Sequence, residues 1–522
     1  MKRIQVFLAT MLLAACVVNP VTGERTLQFY GSDWEQNVGA QMYAPIKQSE
    51  GGEFILDAEL TAYVRGVGQR LAAHARRKDE LDYEFSILNS SVPNAWALPG
   101  GKISINRGLL TELDSEAELA AVLGHEIVHA DAAHGARAQS KGVLTQIGTV
   151  AGMIVVGTSL ESPTARELGM LVPQLGAQLL TQKYGRDAER EADEYGMRYM
   201  AEAGYHTEGA VDLQKTFVEL SEERRQDWLS GLFASHPPSQ ERVDNNQETA
   251  QILAAEGYTG GETSAERWRE KTAYLRRVQP AYEYYDKAGE AAAKEEWGEA
   301  QKHLDQALRI EPRESLFHAL QGDIHAGRDA GRRALGAYED AVAANPNLFY
   351  GWLRRGQAHH ELGNDTQARR DLEKSLELLP TAQAHYILGQ LDLEANRRVA
   401  ALEHFRAAAQ SNSQTGLNAE REILKANLPE RGGSYVAAQV VSNARGELFI
   451  QVGNQTRTPL HDIEYRYAWI DDSGQTRQGN GRFDGTLEGG KWAQQPLNAR
   501  IGDPAAVSRR AQAEVVGAAV RN

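Results

Sequence analysis

One cysteine, Cys16, stands alone among 522 residues. A chain with a single thiol closes no intramolecular disulfide, builds no thiolate metal cage and offers no cysteine nucleophile in its folded body. Basic residues are also short: 56 Lys and Arg face 71 Asp and Glu, a formal net charge of −15. With no basic stripe, that balance argues against a nucleic-acid partner. Long apolar runs are scarce. Gly142 to Leu160 has no charge over nineteen residues, but about half of them are Gly, Thr, Ser or Gln. The window lies at the lower length limit for a membrane span, so a Gly-rich soluble helix or loop covering the preceding helix is the better reading.

What is present begins at the N-terminus. Lys2 and Arg3 precede an apolar run from Ile4 to Leu13, then Leu13-Ala14-Ala15-Cys16. This reads as a secretory signal, too short to span a bilayer. It resembles a bacterial lipobox, which implies cleavage before Cys16, lipid attachment to its sulfur, and an anchor in the membrane. Two or more acyl chains make such an anchor durable. Val17, where an Asp would signal inner-membrane retention, favours the outer membrane by the same resemblance.

From Ser115 to Ala138 the chain is rich in Ala, Leu and Glu and lacks proline, which predicts a helix. Within it lies His125-Glu126-Ile127-Val128-His129, an H-E-x-x-H pattern. Residues four apart share a helix face, so both imidazoles reach one metal ion, and Glu126 is placed to take a proton from a water activated there. Chance produces this pattern in roughly a few per cent of chains with so many histidines, so a further ligand is needed to support it. The form H-E-x-x-H-x-x-G-x-x-H is excluded: residue 132 is Ala, residue 135 is Gly, and His134 comes one place early. A second helix, Arg186 to Met200, supplies Glu189 and Asp193 on one face. One of these carboxylates could ligate zinc while the other holds a histidine ring; Glu191 points elsewhere on that helix. No role is read for His134.

His125-Glu126-x-x-His129 followed by Glu189-x-x-x-Asp193 resembles the gluzincin metallopeptidases of the HtpX and CAAX prenyl protease type, most of all the BepA-like periplasmic group with tetratricopeptide repeats. Asn94 to Gly101, Gly108-Leu109-Leu110, and Ser235-His236-Pro237-Pro238 with Arg242 add to the likeness, which covers roughly residues 30 to 250. The resemblance implies zinc (Zn²⁺) on His125, His129 and Glu189, with Asp193 behind a ligand histidine and Glu126 as catalytic base. It also implies that His236 either caps the open metal position or stabilises the oxyanion, two roles of opposite sign. Asn94, Ala95, Trp96 and Ala97 are implied as an edge strand that pairs with substrate backbone. Arg242 is read as holding the His236 loop, binding a substrate carboxylate, or serving as a surface ion-pair partner.

Downstream, Pro312, Pro346 and Pro380 are each 34 residues apart, the tetratricopeptide period. Small residues recur in register (Gly322, Gly356 and Gly389; Ala300, Ala334, Ala368 and Ala401), as do large ones (Leu304, Tyr338, Leu372 and Phe405). Four repeats from about Tyr282 to Gln410 form a solenoid able to dock a polypeptide. After Tyr435 strands are predicted at Tyr435–Val441, Glu447–Val452, Asp462–Ile470 and Gly481–Leu487, enough for a small β-sandwich.

The expected architecture is thus α+β and mostly helical. It comprises a signal peptide (1–15), a lipid-anchored tether (16–45), a metallopeptidase domain with a short edge sheet (46–250), a helical linker (251–280), a solenoid (281–430) and a β-sandwich-like domain (431–522). The expected function is zinc-dependent cleavage of unfolded or misassembled envelope proteins, at the periplasmic face of the outer membrane. The repeats would position substrates or contact the β-barrel assembly machinery. The alternative is a chaperone-like assembly or scaffold factor with a latent zinc site.

Overall fold

The computed structural model describes residues 16–140, 184–223 and 232–520. The signal read from residues 1–15 and the charge-free stretch 142–160 lie outside them. Among the described residues no helix is long and apolar enough to cross a membrane. The described residues divide into two units, one ending at Leu379 and the other beginning at Pro380.

The first unit opens on an antiparallel ribbon, β1 (Cys16–Val18) and β2 (Arg25–Leu27), then helices α1 (Ser32–Ser49) and α2 (Ala58–Ala72). Next come β3 (Glu84–Leu88), β4 (Ala95–Leu98) and β5 (Lys102–Asn106), ordered β3-β5-β4, with β3–β5 parallel and β5–β4 antiparallel. The turn joining β4 to β5 needs φ +85° at both Gly100 and Gly101, a region closed to most side chains. β4 is therefore an edge strand of this sheet.

Helix α3 (Glu116–Asp131) follows. Ser115 Oγ accepts from the Glu118 N–H, and the Glu118 carboxylate accepts from the Asp114 N–H, which satisfies the helix's first donors. Every residue of α3 is buried, the polar Glu116, Glu118, His125, Glu126, His129 and Asp131 included, so each of these groups must find its partner inside the fold. The helix predicted to run to Ala138 stops at Asp131: Ala133 is left-handed, φ 54°, and helical geometry resumes at His134. Asp131 pins the break. Its carboxylate, unfavourable at a helix C-terminus, accepts from the backbone N–H groups of Arg76 and Arg77 and from Tyr199 Oη at 2.8, 2.7 and 2.6 Å.

Helices α4 (Arg186–Glu202), α5 (Glu208–Glu223) and α6 (Gln240–Ala255) complete the wall around α3. Helices α3 and α4 meet backbone to backbone. A Cβ on Gly196 would stand 2.9 Å from the His125 nitrogen, and one on Gly124 would stand 3.0 Å from the Gly196 carbonyl oxygen.

Three helix pairs end this unit: α7 (Ala273–Ala293) with α8 (Trp297–Ile310), α9 (Ser315–Gly327) with α10 (Gly331–Ala344), and α11 (Phe349–Glu361) with α12 (Asp365–Leu378). In the second unit α13 (Ala382–Glu394) pairs with α14 (Arg398–Ala408). The aligned columns have a physical meaning. A Cβ on Gly322, Gly356 or Gly389 would collide with Tyr338, Leu372 or Phe405 of the companion helix. The turn inside each pair holds one left-handed residue, Glu295, Asp329, Gly363 and Asn396.

Helix α15 (Gln414–Arg431) leads into β6 (Val436–Ser442), β7 (Glu447–Asn454), β8 (Leu460–Ile470), β9 (Thr476–Phe483), β10 (Trp492–Arg500) and β11 (Ala511–Val520). They form two sheets, β10-β7-β6 and β11-β8-β9, that share one core, with Ile450 and Val452 on one side and Ile463 and Tyr465 on the other. The strand predicted at Gly481–Leu487 instead runs Thr476–Phe483, and β10 and β11 escape the sequence reading. β9 and β10 are polar and largely exposed, so their hydrophobic alternation is faint.

The glycine contact carries a prediction. Gly196→Val should force α4 away from α3 and destabilise the fold by about 1–3 kcal/mol. Urea denaturation measures it, and an unchanged midpoint would refute the claim that this contact sets the helix spacing.

Candidate metal centre

Helix α3 presents His125, Glu126 and His129; α4 presents Glu189 and Asp193; a short helical segment, Leu232–Ser235, delivers His236 just before α6. His125 Nε2 and His129 Nε2 stand 3.0 Å apart. Glu189 brings one oxygen 3.7 Å from His125 Nε2 and the other 3.5 Å from His129 Nε2. His236 Nδ1 lies 3.1 Å from both Glu189 oxygens and 3.2 Å from His125 Nε2. The ligand atoms of these four buried residues fall within 4.8 Å of one another. Glu126 is 2% exposed, with Oε1 3.7 Å from His236 Nε2.

Asp193 lies behind His125, its Oδ1 2.9 Å from Nδ1. Arg242 grips the same carboxylate twice, Nε to Oδ2 at 2.8 Å and Nη2 to Oδ1 at 2.7 Å, while its Nη1 lies 3.3 Å from Glu189 Oε2. Arg242 is therefore neither a surface ion-pair residue nor free to bind a substrate carboxylate, because its guanidinium is buried and engaged. Glu191 stands apart from the ligand group, between His134, Arg137 and Asn19.

Two neighbours of the site were not read from the sequence. His134 Nδ1 is 2.7 Å from His129 Nδ1. On an unbroken helix, residues five apart point about 140° away from each other; only the left-handed kink at Ala133 turns His134 back. Tyr184 stacks on the His129 ring, centroids 4.2 Å apart and planes 22° apart.

Charge tests whether a cation fits. Glu126, Glu189 and Asp193 are buried against one permanent cation, Arg242. Ionised, the three carboxylates exceed it by two charges, which one divalent ion balances. Without that ion the pocket draws protons. Burial pushes Glu126 up despite the neighbouring His236 and His125; burial lowers His236, but the Glu189 and Glu126 carboxylates outweigh it and raise its pKa. Burial likewise opposes ionisation of Asp193, yet the Arg242 charge and hydrogen bonds hold it well below the usual carboxylate range. The donor set of imidazoles and a carboxylate suits zinc.

Asn94 to Ala97 lie on and just before β4, which packs against α3, the helix that carries His125 and His129. Ala95 and Trp96 are buried, Trp96 edge-on to Tyr43, so a pairing partner would meet backbone rather than side chains. Cys16 opens β1.

Residues 58–250 match the profile of Peptidase family M48. The chain carries a Peptidase M48 domain. It is 26% identical over 391 residues to the beta-barrel assembly-enhancing protease of Escherichia coli K12, covering 68% of this chain and 77% of that one. It is 29% identical over 234 residues to the mitochondrial metalloendopeptidase OMA1 of Schizosaccharomyces pombe, covering 44% of this chain and 65% of that one. Among solved structures, a thermophilic TPR protein of Thermus thermophilus is 19% identical, with a TM-score of 0.25 over 36% of this chain and 93% of its own. The chain is a zinc-dependent metalloendopeptidase.

Arg242 makes Asp193 costly to remove. Asp193→Ala should destabilise the zinc-free protein by about 3–5 kcal/mol, because it removes the two-fold partner of a buried guanidinium and leaves it only the Glu189 contact. Asp193→Asn, which keeps an acceptor, should cost less. Denaturation in chelator measures both, and equal, small losses would refute the claim.

Proposed function

We propose that this chain cleaves unfolded or misassembled polypeptides of the bacterial envelope, from a tether lipidated at Cys16 in the outer membrane. The observation that carries the reading is the convergence of His125, His129 and Glu189 beside the buried Glu126. Those three residues would hold zinc, which supplies Lewis acidity to activate water and polarise the scissile carbonyl. Glu126 takes a proton from the attacking water on its carboxylate and returns it to the leaving amine. Asp193 accepts from His125 Nδ1 and keeps that ring in the tautomer whose Nε2 is free to ligate. Substrate backbone adds to the β4 edge at Asn94–Ala97, which accounts for broad sequence tolerance once a chain is unfolded. The repeats select or position that chain. The likeness to a beta-barrel assembly-enhancing protease supports outer-membrane protein quality control as the setting, with the assembly machinery as a partner.

His236 supports a resting-state cap over an oxyanion donor, since its Nδ1 stands among the ligand atoms. The same observation favours the second reading, an assembly or scaffold factor whose zinc site is latent until His236 leaves.

Three measurements separate these. Glu189→Ala should abolish stoichiometric zinc, whereas Glu126→Gln should retain zinc and lose cleavage of an unfolded casein probe; zinc retained in Glu189→Ala refutes the ligand set. His236→Ala should raise casein cleavage, because the competent fraction is no longer limited by the cap; collapse of activity would assign it to catalysis instead. A Glu126→Gln protein that supports every envelope phenotype would make scaffolding the main task.

A further inference from the structure

His125 and His129 turn their Nε2 atoms toward each other and toward Glu189, so each must carry its proton on Nδ1 if Nε2 is to bind a cation. His125 Nδ1 meets the carboxylate of Asp193. His129 Nδ1 meets another ring nitrogen, His134 Nδ1, at 2.7 Å. One proton lies between them and His129 supplies it, so His134 Nδ1 accepts and its own proton sits on Nε2. That atom lies 3.4 Å from Glu191 Oε2, an ion-pair contact rather than an aligned hydrogen bond. The other Glu191 oxygen accepts from Asn19 Nδ2 at 2.6 Å. Asn19 is itself oriented: its Oδ1 accepts from the Val21 N–H at 2.9 Å, which leaves only the amide nitrogen for Glu191. Val21 joins the main core, and the Phe29 N–H donates to Ser140 Oγ at 2.9 Å, so the segment is fixed at both ends.

We propose that Asn19, Glu191 and His134 form a positioning relay that sets the tautomer and ring plane of His129, making the tether just after Cys16 a working part of the metal site. The inference rests on His129 being a zinc ligand. His125 is backed directly by a carboxylate, whereas His129 is backed by one through a second imidazole, and the last member of that chain belongs to the N-terminal ribbon. The tether thus does more than join the domain to its anchor: a displaced ribbon leaves Glu191 only the longer Arg137 contact at 3.5 Å beside His134, and so loosens His134 and then the metal ligand.

The test is the zinc dissociation constant of the full chain, read by chelator competition, with the absorption spectrum of the cobalt-substituted protein alongside. Asn19→Asp keeps the acceptor for Val21, removes the donor to Glu191 and sets two carboxylates against each other. Through charge alone an added carboxylate would tighten zinc; through the relay it should weaken zinc by about tenfold and alter the cobalt bands, as loss of an outer partner does. The double variant Asn19→Asp/Glu191→Gln, in which the new amide donates to Asp, should recover most of the loss. His134→Phe, which preserves ring volume against Tyr184, should also weaken zinc by roughly 10- to 100-fold and covers the case in which Asn19→Asp does not fold. Zinc held as tightly in Asn19→Asp or His134→Phe as in the parent overturns the relay, as does a double variant no tighter than the single. A parent that binds no zinc overturns the ligand assignment instead.

Discussion

The site depends on two helices that touch without side chains between them. Gly124 and Gly196 let α3 and α4 meet at backbone distance, immediately beside His125. Helix spacing is usually set by side chains that hold axes 8–10 Å apart. Here the glycines bring Glu189 and Asp193 of one helix within reach of both histidines of the other. Asp131 fixes the far end of α3 through Arg76, Arg77 and Tyr199. Tyr199 belongs to α4, so the same two helices are clamped again beyond the ligands.

That proximity concentrates negative charge in a dry place, and the rest of the site manages it. Arg242 is spent on Asp193 and Glu189, which leaves Glu126 and the imidazoles to respond to whatever cation is present. A buried carboxylate cluster raises the cost of every unpaired charge, and Asp193 and Glu189 accordingly have directed partners in Arg242, His125 and His236. The same pressure explains why His236 is pulled inward. Protonated, it offsets the excess charge; neutral, it offers a third nitrogen and a fourth ligand. Either form competes with substrate for the same space, and the cap reading follows from electrostatics as much as from position.

Much of this was legible in one dimension. The i, i+4 spacing of His125 with His129 and of Glu189 with Asp193 encodes a shared face directly, because helix geometry converts spacing to direction. The 34-residue columns worked for the same reason: each aligned glycine receives the large residue of its companion helix. What failed to show was anything that depends on a break in regular structure. His134 is out of phase with His129 on an ideal helix, and only the left-handed Ala133 brings them together. Arg242 was open to three readings because its sequence neighbours are polar, and only α6 shows it turned inward onto Asp193. The β9 and β10 strands carry too few buried side chains to print an alternation. Asn19 has no local signal at all; its partner is 172 positions away.

The repeats bear on how a bound chain would reach the metal. The first three helix pairs lie in the same unit as the peptidase, joined by buried polar contacts rather than by a flexible linker. Arg107, 3% exposed, lies over the Tyr282 ring at 3.4 Å. Glu314 accepts from Tyr282 Oη at 2.5 Å and from Asn89 Nδ2 at 3.0 Å. Gln48 of α1 bonds both the Asn347 carbonyl and the Phe349 N–H at the start of α11. A buried arginine, a buried glutamate and a tyrosine hydroxyl that satisfy one another would each be stranded if the parts separated, at a cost of a few kcal/mol apiece. The junction therefore acts as a fixed spacer. A polypeptide held on these repeats has its effective concentration at the metal set by a rigid distance rather than by linker length, so it is favoured or excluded by geometry. That is a sharper filter than tethering.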